Sequence, residues 1–152
     1  MRRLMLGPTL GLWAVLALAG AARAEETAKE KANKAAVLAF YDAALNRLDF
    51  EAASRYLGPV YKQHNPTAAD GAEGLKGFLA FLKTNFPQTH SEVTMSFADG
   101  DYVILRVHAI RTPGAAGNAI VDIFRLENGK VVEHWDSVQP VPDKPANANT
   151  MF

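Results

Sequence analysis

The feature that most constrains this chain is a change of hydrophobic period at Pro87. Before it, apolar residues recur every three to four positions: Val37, Phe40, Tyr41, Ala44, Leu45 and Leu48 in one run, and Leu75, Phe78, Leu79, Leu82 and Phe86 in another. Each run is the single apolar stripe of an amphipathic helix. After Pro87 apolar residues alternate with polar ones, the two-residue period of strands that bury one face. A chain that gathers its helices first and its strands afterwards buries both apolar surfaces by laying helices on a sheet, an α+β arrangement.

Local punctuation divides these halves. Asp49 is a good N-cap for a short second helix carrying Phe50, Ala53 and Leu57, which Gly58-Pro59 stops. Residues 60–66 read as a brief extended segment. Asp70 opens a third helix, with Glu73 three residues on to complete a capping box, and Pro87 ends it. Val93, Met95 and Phe97 then alternate up to an Asp99-Gly100 turn. Residues 102–111 follow, and after a loop rich in Gly, Pro and Ala come 119–126 and 130–138, giving a four-strand antiparallel meander. Pro140, Pro142 and Pro145 mark an irregular tail.

The start of the chain has a different character. Met1-Arg2-Arg3 is basic, Leu4 to Ala22 is apolar or small almost throughout, and Ala22-Arg23-Ala24 fits a small-x-small cleavage site. This predicts a signal peptide over residues 1–24 and a periplasmic or secreted protein. The apolar stretch is also just long enough for an uncleaved anchor; the cleavage motif and the abrupt switch to Glu25-Glu26 favour removal. Arg2-Arg3 leaves the general and twin-arginine export routes both open.

Removal leaves 128 residues, one domain of ordinary size. Residues 25–36 read as a charged helical lead-in, 37–142 as the folded domain and 143–152 as a flexible tail. With Arg2, Arg3 and Arg23 gone, 16 basic residues become 13 against 16 acidic ones. That balance argues against nucleic acid or an anionic membrane surface as partner. The chain has no cysteine, which excludes disulfides and thiol chemistry. An exported domain without disulfides relies on its core, and a homodimer would add to that.

The chemistry-bearing residues concentrate in Val121-Asp122-Ile123-Phe124-Arg125, a Glu127-Asn128-Gly129 turn, and Glu133-His134-Trp135-Asp136. Alternation places Asp122 and Phe124 on one face of the first strand and Val132, His134 and Asp136 on one face of the second. Whether these faces coincide depends on the turn. A two-residue Asn128-Gly129 loop sets Asp122 opposite Trp135. A three-residue loop with a bulge at Gly129 sets Asp122 opposite His134 and is the favoured form.

These elements and motifs resemble the nuclear-transport-factor-2-like superfamily, and more narrowly the SnoaL-like polyketide cyclases. The residues that carry the resemblance are Tyr61-Lys62-Gln63-His64-Asn65-Pro66, Asp70-Gly71-x-Glu73-Gly74, Val121 to Arg125, and Gly129 to Asp136 with Gln139-Pro140-Val141-Pro142. The resemblance implies three helices packed on a curved antiparallel sheet to form a cone-shaped pocket. It implies a small-molecule ligand or substrate, and acid/base chemistry in which Asp122 takes a proton from the carbon beside a carbonyl. Superfamily members also include non-catalytic ligand binders, so a binding module is the alternative to an enzyme.

The remaining candidates each have a bland reading beside the functional one. His134 and Asp136 are either a structural pair or a tautomer-fixing arrangement in which Asp136 orients His134 toward the substrate oxygen. His108 shares a face with Arg106 and lies in the pocket or on the surface; the resemblance favours the pocket. His64 either closes a loop network or contacts ligand, as do Tyr41 and Phe124 from the core. Trp135 points away, to packing or a subunit contact. His134-x-Asp136 with Asp122 or His108 has suitable donors for zinc or iron, but nothing fixes a geometry. The expectation is no metal. No Gly-rich phosphate loop and no Gly-x-Ser-x-Gly elbow occurs, so the expectation is also no cofactor.

Overall fold

A computed structural model describes residues 25–152; the predicted signal peptide lies outside them. Thr27 starts the first helix. Its hydroxyl accepts the N–H of Glu30, and the Glu30 carboxylate accepts the N–H of Thr27 at 2.7 Å, the reciprocal capping box. Helix α1 (Ala28–Tyr41) therefore begins well ahead of its apolar stripe. Asn33 is buried and donates to the Gly100 carbonyl, while Glu30 accepts the Gly100 N–H, so the charged start of α1 is pinned to a sheet turn.

Directly after Tyr41 the helix widens into a π-helical turn (Asp42–Asn46), a distortion that recurs at functional sites. Asp49 caps the short α2 (Phe50–Ser54) by accepting the N–H of Ala52. This helix ends before Leu57-Gly58-Pro59, which belong to strand β1 (Leu57–Gln63). Helix α3 (Gly71–Asn85) follows, then β2 (His90–Asp99), β3 (Tyr102–Ile110), β4 (Asn118–Glu127) and β5 (Lys130–Pro140). Asp70 precedes α3, but its carboxylate accepts the N–H of Gln63 and makes no cap bond, so the expected Asp70–Glu73 box does not form. The competing backbone donor on β1 wins that carboxylate.

The strands form one sheet in the order β1-β5-β4-β3-β2. Consecutive strands from β2 to β5 pair antiparallel, as the meander reading expects, and β1 joins parallel to β5. The sheet is thus a curved, mixed one of five strands with three helices, an α+β fold. Val103, Leu105 and Val107 of β3, Phe124 and Leu126 of β4, and Val131 of β5 meet Val37, Phe40 and Leu82 in the core. No described helix is long and apolar enough to cross a membrane.

Two bulges decide which side chains face the helices. In β2, Val93 pairs with Val107 but Met95 pairs with Arg106. The extra residue, Thr94, turns Met95 and Phe97 outward, breaking the run of Val93, Met95 and Phe97. In the β4–β5 hairpin, Glu127 pairs with Lys130, and Asn128 and Gly129 both have positive φ. This is a two-residue loop with the I′ twist, not the expected bulged one, because Asn tolerates the left-handed region. The bulge lies further along: Leu126 pairs with Val131 and Arg125 with Glu133, leaving Val132 extra. Gly58 makes room there, since a Cβ on it would come within 2.6 Å of Val132 Cγ1.

Candidate active site

The Val132 bulge restores the facing that a two-residue turn alone would lose. Asp122 pairs with Asp136 and Phe124 with His134, so all four share the inner, helix-side face. They line a cavity of about 260 Å³ between the sheet, α1 and α3. Phe40, Leu45, Leu75, Phe78, Ile120 and Val138 form its apolar wall. Its polar part comes from Tyr41, Tyr61, Gln63, Asn65, Arg111 and Asn118 together with Asp122, His134 and Asp136.

At the floor is a continuous hydrogen-bond relay. Tyr41 Oη donates to Asp122 Oδ2 at 3.1 Å. Asp122 Oδ1 meets His134 Nε2 at 3.0 Å, and His134 Nδ1 meets Gln63 Oε1 at 3.0 Å. Gln63 Oε1 also accepts the backbone N–H of Asn65 at 2.9 Å, which fixes the amide with oxygen toward the histidine. Nδ1 of His134 must therefore carry a proton. The one mobile proton of the pair lies between Nε2 and Asp122 Oδ1: either imidazolium faces carboxylate, or neutral imidazole faces carboxylic acid. Phe124 stacks on the imidazole with centroids 4.7 Å apart and holds its plane.

Burial, and then the negative charge of Asp122, hold the Tyr41 hydroxyl well above the ordinary tyrosine value. Tyr61 is raised for the same leading reason. Both remain donors at physiological pH. Arg111, half-buried just after β3, has its pKa drawn down by burial, while Tyr41 and Asp122 favour its charge; guanidinium stays protonated. Asp136 is held apart from the relay, with both carboxylate oxygens 2.8 Å from Asn65 Nδ2. It does not orient His134, contrary to expectation, because Gln63 occupies the Nδ1 side. Asp122, His134 and Asp136 offer ligand atoms within 4.8 Å of one another. A metal held there would have to displace the Asp122–His134 and Asn65–Asp136 bonds.

Two expected site residues are absent from this wall. His108 lies on the outer face, where Nε2 donates to the Ala116 carbonyl and the ring stacks on Phe152 at 4.1 Å. Alternation along β3 shows why: the buried parity belongs to Val103, Leu105, Val107 and Ala109. His64 is also outside, stacked on Trp135 at 4.6 Å and paired with Glu133 at 2.8 Å, the loop-closing network weighed for it. Its neighbours of opposite parity, Tyr61, Gln63 and Asn65, take the inward places. That alternation was present in Tyr61-Lys62-Gln63-His64-Asn65 and would have found them. Arg111 and Asn118, flanking the 112–118 loop, had no signal of comparable clarity.

The fold and the cavity define a class: small α+β proteins whose helices close one face of a curved sheet into a polar-floored ligand pocket. Residues 37–134 match the SnoaL-like domain, and the chain belongs to that family. Among solved structures, a candidate SnoaL-like polyketide cyclase from Jannaschia sp. superposes with TM-score 0.63 at 20% identity, covering 76% of this chain and 90% of that one. AclR, a candidate hydroxylase from Streptomyces galilaeus, superposes with TM-score 0.63 at 23% identity over 77% of this chain and 91% of that one. An NTF2-like protein of unknown function from Cytophaga hutchinsonii gives TM-score 0.59 at 23% identity, with coverages of 71% and 90%. At these identities the likeness shows the fold. No curated protein matches the chain by sequence.

Proposed function

We propose that the chain is an exported, cofactor-independent acid/base enzyme acting on a small, largely apolar carbonyl compound. The reaction begins with proton transfer at the carbon beside the carbonyl and proceeds to cyclisation, aldol-type condensation, isomerisation or dehydration. The observation that carries this reading is Asp122: buried, facing the cavity, and held by Tyr41 on one oxygen and His134 on the other. Each carboxylate oxygen has two lone pairs, so these bonds leave acceptor capacity for a substrate proton. Asp122 is the base. His134, with Nδ1–H anchored on Gln63, shares the Nε2 proton with Asp122 and supports its charge as the substrate proton arrives and leaves.

The test is proton exchange. A panel of small aryl ketones, β-keto esters and 2-oxo acids is incubated with the protein in D₂O, and loss of the α-C–H signal is followed by NMR. The expectation is exchange above the buffer rate that Asp122→Asn removes while the far-ultraviolet circular dichroism is unchanged. No exchange with any member overturns the catalytic reading. A second reading, a non-catalytic binding module, draws on the same relay, because both nitrogens of His134 are engaged within the protein. Compounds that bind without exchanging would favour it.

Export is part of the proposal: the mature N-terminus is expected at Glu25, and an intact-mass measurement showing retained residues 1–24 would remove it. So is a homodimer through the outer sheet face, where Met95, Phe97, Tyr102 and Ile104 are exposed side by side. Sedimentation should show a dimer that Ile104→Glu dissociates. A monomer across the accessible concentration range would refute it.

A further inference from the structure

Among the described residues lining the cavity, Arg111 is the one arginine or lysine, and it stands outside the relay. Nη1 donates to Thr89 Oγ1 at 3.0 Å, and the guanidinium lies 5.8 Å from the centre of the Phe78 ring. Thr89 is itself buried and bonded to the Ile110 carbonyl. The plane is thus steered from two sides at the cavity wall. Among the described residues, no carboxylate lies within 4.0 Å of it and no second hydrogen bond engages its other N–H groups. The cavity's two carboxylates differ in this respect. Asp122 is capped by Tyr41 and His134, and Asp136 by Asn65.

Four of the five guanidinium N–H groups thus have no partner among the described residues, at the edge of an apolar wall. We infer that Arg111 anchors a carboxylate carried by the ligand, so that the compounds this cavity takes are small apolar acids rather than neutral carbonyl compounds. Planar, paired N–H groups suit the two oxygens of a carboxylate. Among the described residues, no lysine and no glycine-rich turn lines the cavity to share the charge of a phosphate. The volume, just under the ~300–1,000 Å³ of drug-sized sites, sets the scale of the apolar part. This inference rests on the cavity being the ligand site of the proposed function and adds the substrate class to it.

The test compares 3-phenylpropanoate with the isosteric, neutral 3-phenylpropanamide by isothermal titration calorimetry. The carboxylate is expected to bind the wild type about tenfold more tightly or better, as a charge-assisted pair contributes. In Arg111→Gln that preference should fall to near parity, with Arg111→Lys retaining part of it. Thr89→Val, which leaves the charge but removes its steering, should weaken the preference less and guards against a folding defect in the Arg111 variants. Equal affinity in the wild type, a preference that survives Arg111→Gln, or no carboxylate binding up to millimolar concentration would each overturn the inference. Asp122→Asn separates the two ideas: it should lose proton exchange yet keep the carboxylate preference. A protein with the preference but no exchange in any form sinks only the catalytic reading.

Discussion

The two faces of the sheet carry the same kind of pair in opposite surroundings. On the inner face His134 and Asp122 stand 3.0 Å apart with side chains 10% and 6% exposed. On the outer face His64 and Glu133 stand 2.8 Å apart with side chains 32% and 14% exposed. Glu133 is held below the ordinary carboxylate range by its bond from His64 first and Arg125 second, and Lys62 lies 4.0 Å away. The outer pair is one member of a solvated charge network, the sort worth roughly 0–1 kcal/mol. The inner pair has exchanged water for one tyrosine, one glutamine and one phenylalanine, so its proton has few places to go. Geometry is nearly the same in both; desolvation and a cavity are what make one of them a site.

The two faces should differ most in activity. Asp122→Asn should lower α-proton exchange by about 10²–10⁴-fold, the usual contribution of a positioned base, whereas Glu133→Gln should leave it unchanged. A matched loss in both variants would mean that the faces are not distinct in function.

Stability gives the next test. Tyr41→Phe leaves a buried carboxylate oxygen without its donor and should cost about 1–3 kcal/mol in urea unfolding. His64→Ala, on the wet face, should cost at most about 1 kcal/mol. Gly58→Ala probes the bulge that sets the facing, and overpacking against Val132 should cost about 1–3 kcal/mol and reduce exchange as well. Destabilisation without any change in exchange would show that the bulge serves the fold alone.

Smaller effects appear against pH. The folded values of Tyr41 and Tyr61 lie above the unfolded value of 10.0, so the folded state keeps its protons longer. Their contribution is fully present below pH 10 and falls as pH rises beyond it. Tyrosinate absorbance should show these two of the four tyrosines ionising only as the protein unfolds in alkali. Glu133 has the reverse sign: its lowered value contributes above the ordinary carboxylate value of 4.5 and is lost as pH falls through the folded value. Glu133→Gln should therefore soften the acid limb of the stability curve only slightly, because solvent screens the group.

Much of this was legible in the local pattern. The period change at Pro87, the stripes of α1 and α3, the Asp49 cap and the alternation of Asp122 and Phe124 are all short-range signals, and the structure follows them. The capping box at Thr27 and Glu30 was equally local, in a stretch read only as a charged lead-in. What escaped was set by partners far along the chain. Asp70 was spent on Gln63 and not on Glu73. His108 faces outward because the β3 parity that meets α1 belongs to its neighbours. Gln63 reaches His134 only because β1 lies parallel to β5, a pairing between segments about 70 residues apart that no turn announces.

By itself, then, the sequence determined the elements, their order and the chemical character of one strand pair, since period, caps and turns act over a few residues. The tertiary structure decided which side chains converge. A bulge at Val132, whose side chain packs over the bare Cα of Gly58, returned Asp122 and His134 to one face after a turn that would have parted them. The parallel β1 then delivered Gln63 to the histidine and left His64 outside. Burial did the rest, because whether a His–carboxylate pair is a surface ornament or a proton relay depends on the water around it, and only the packed helices remove that water.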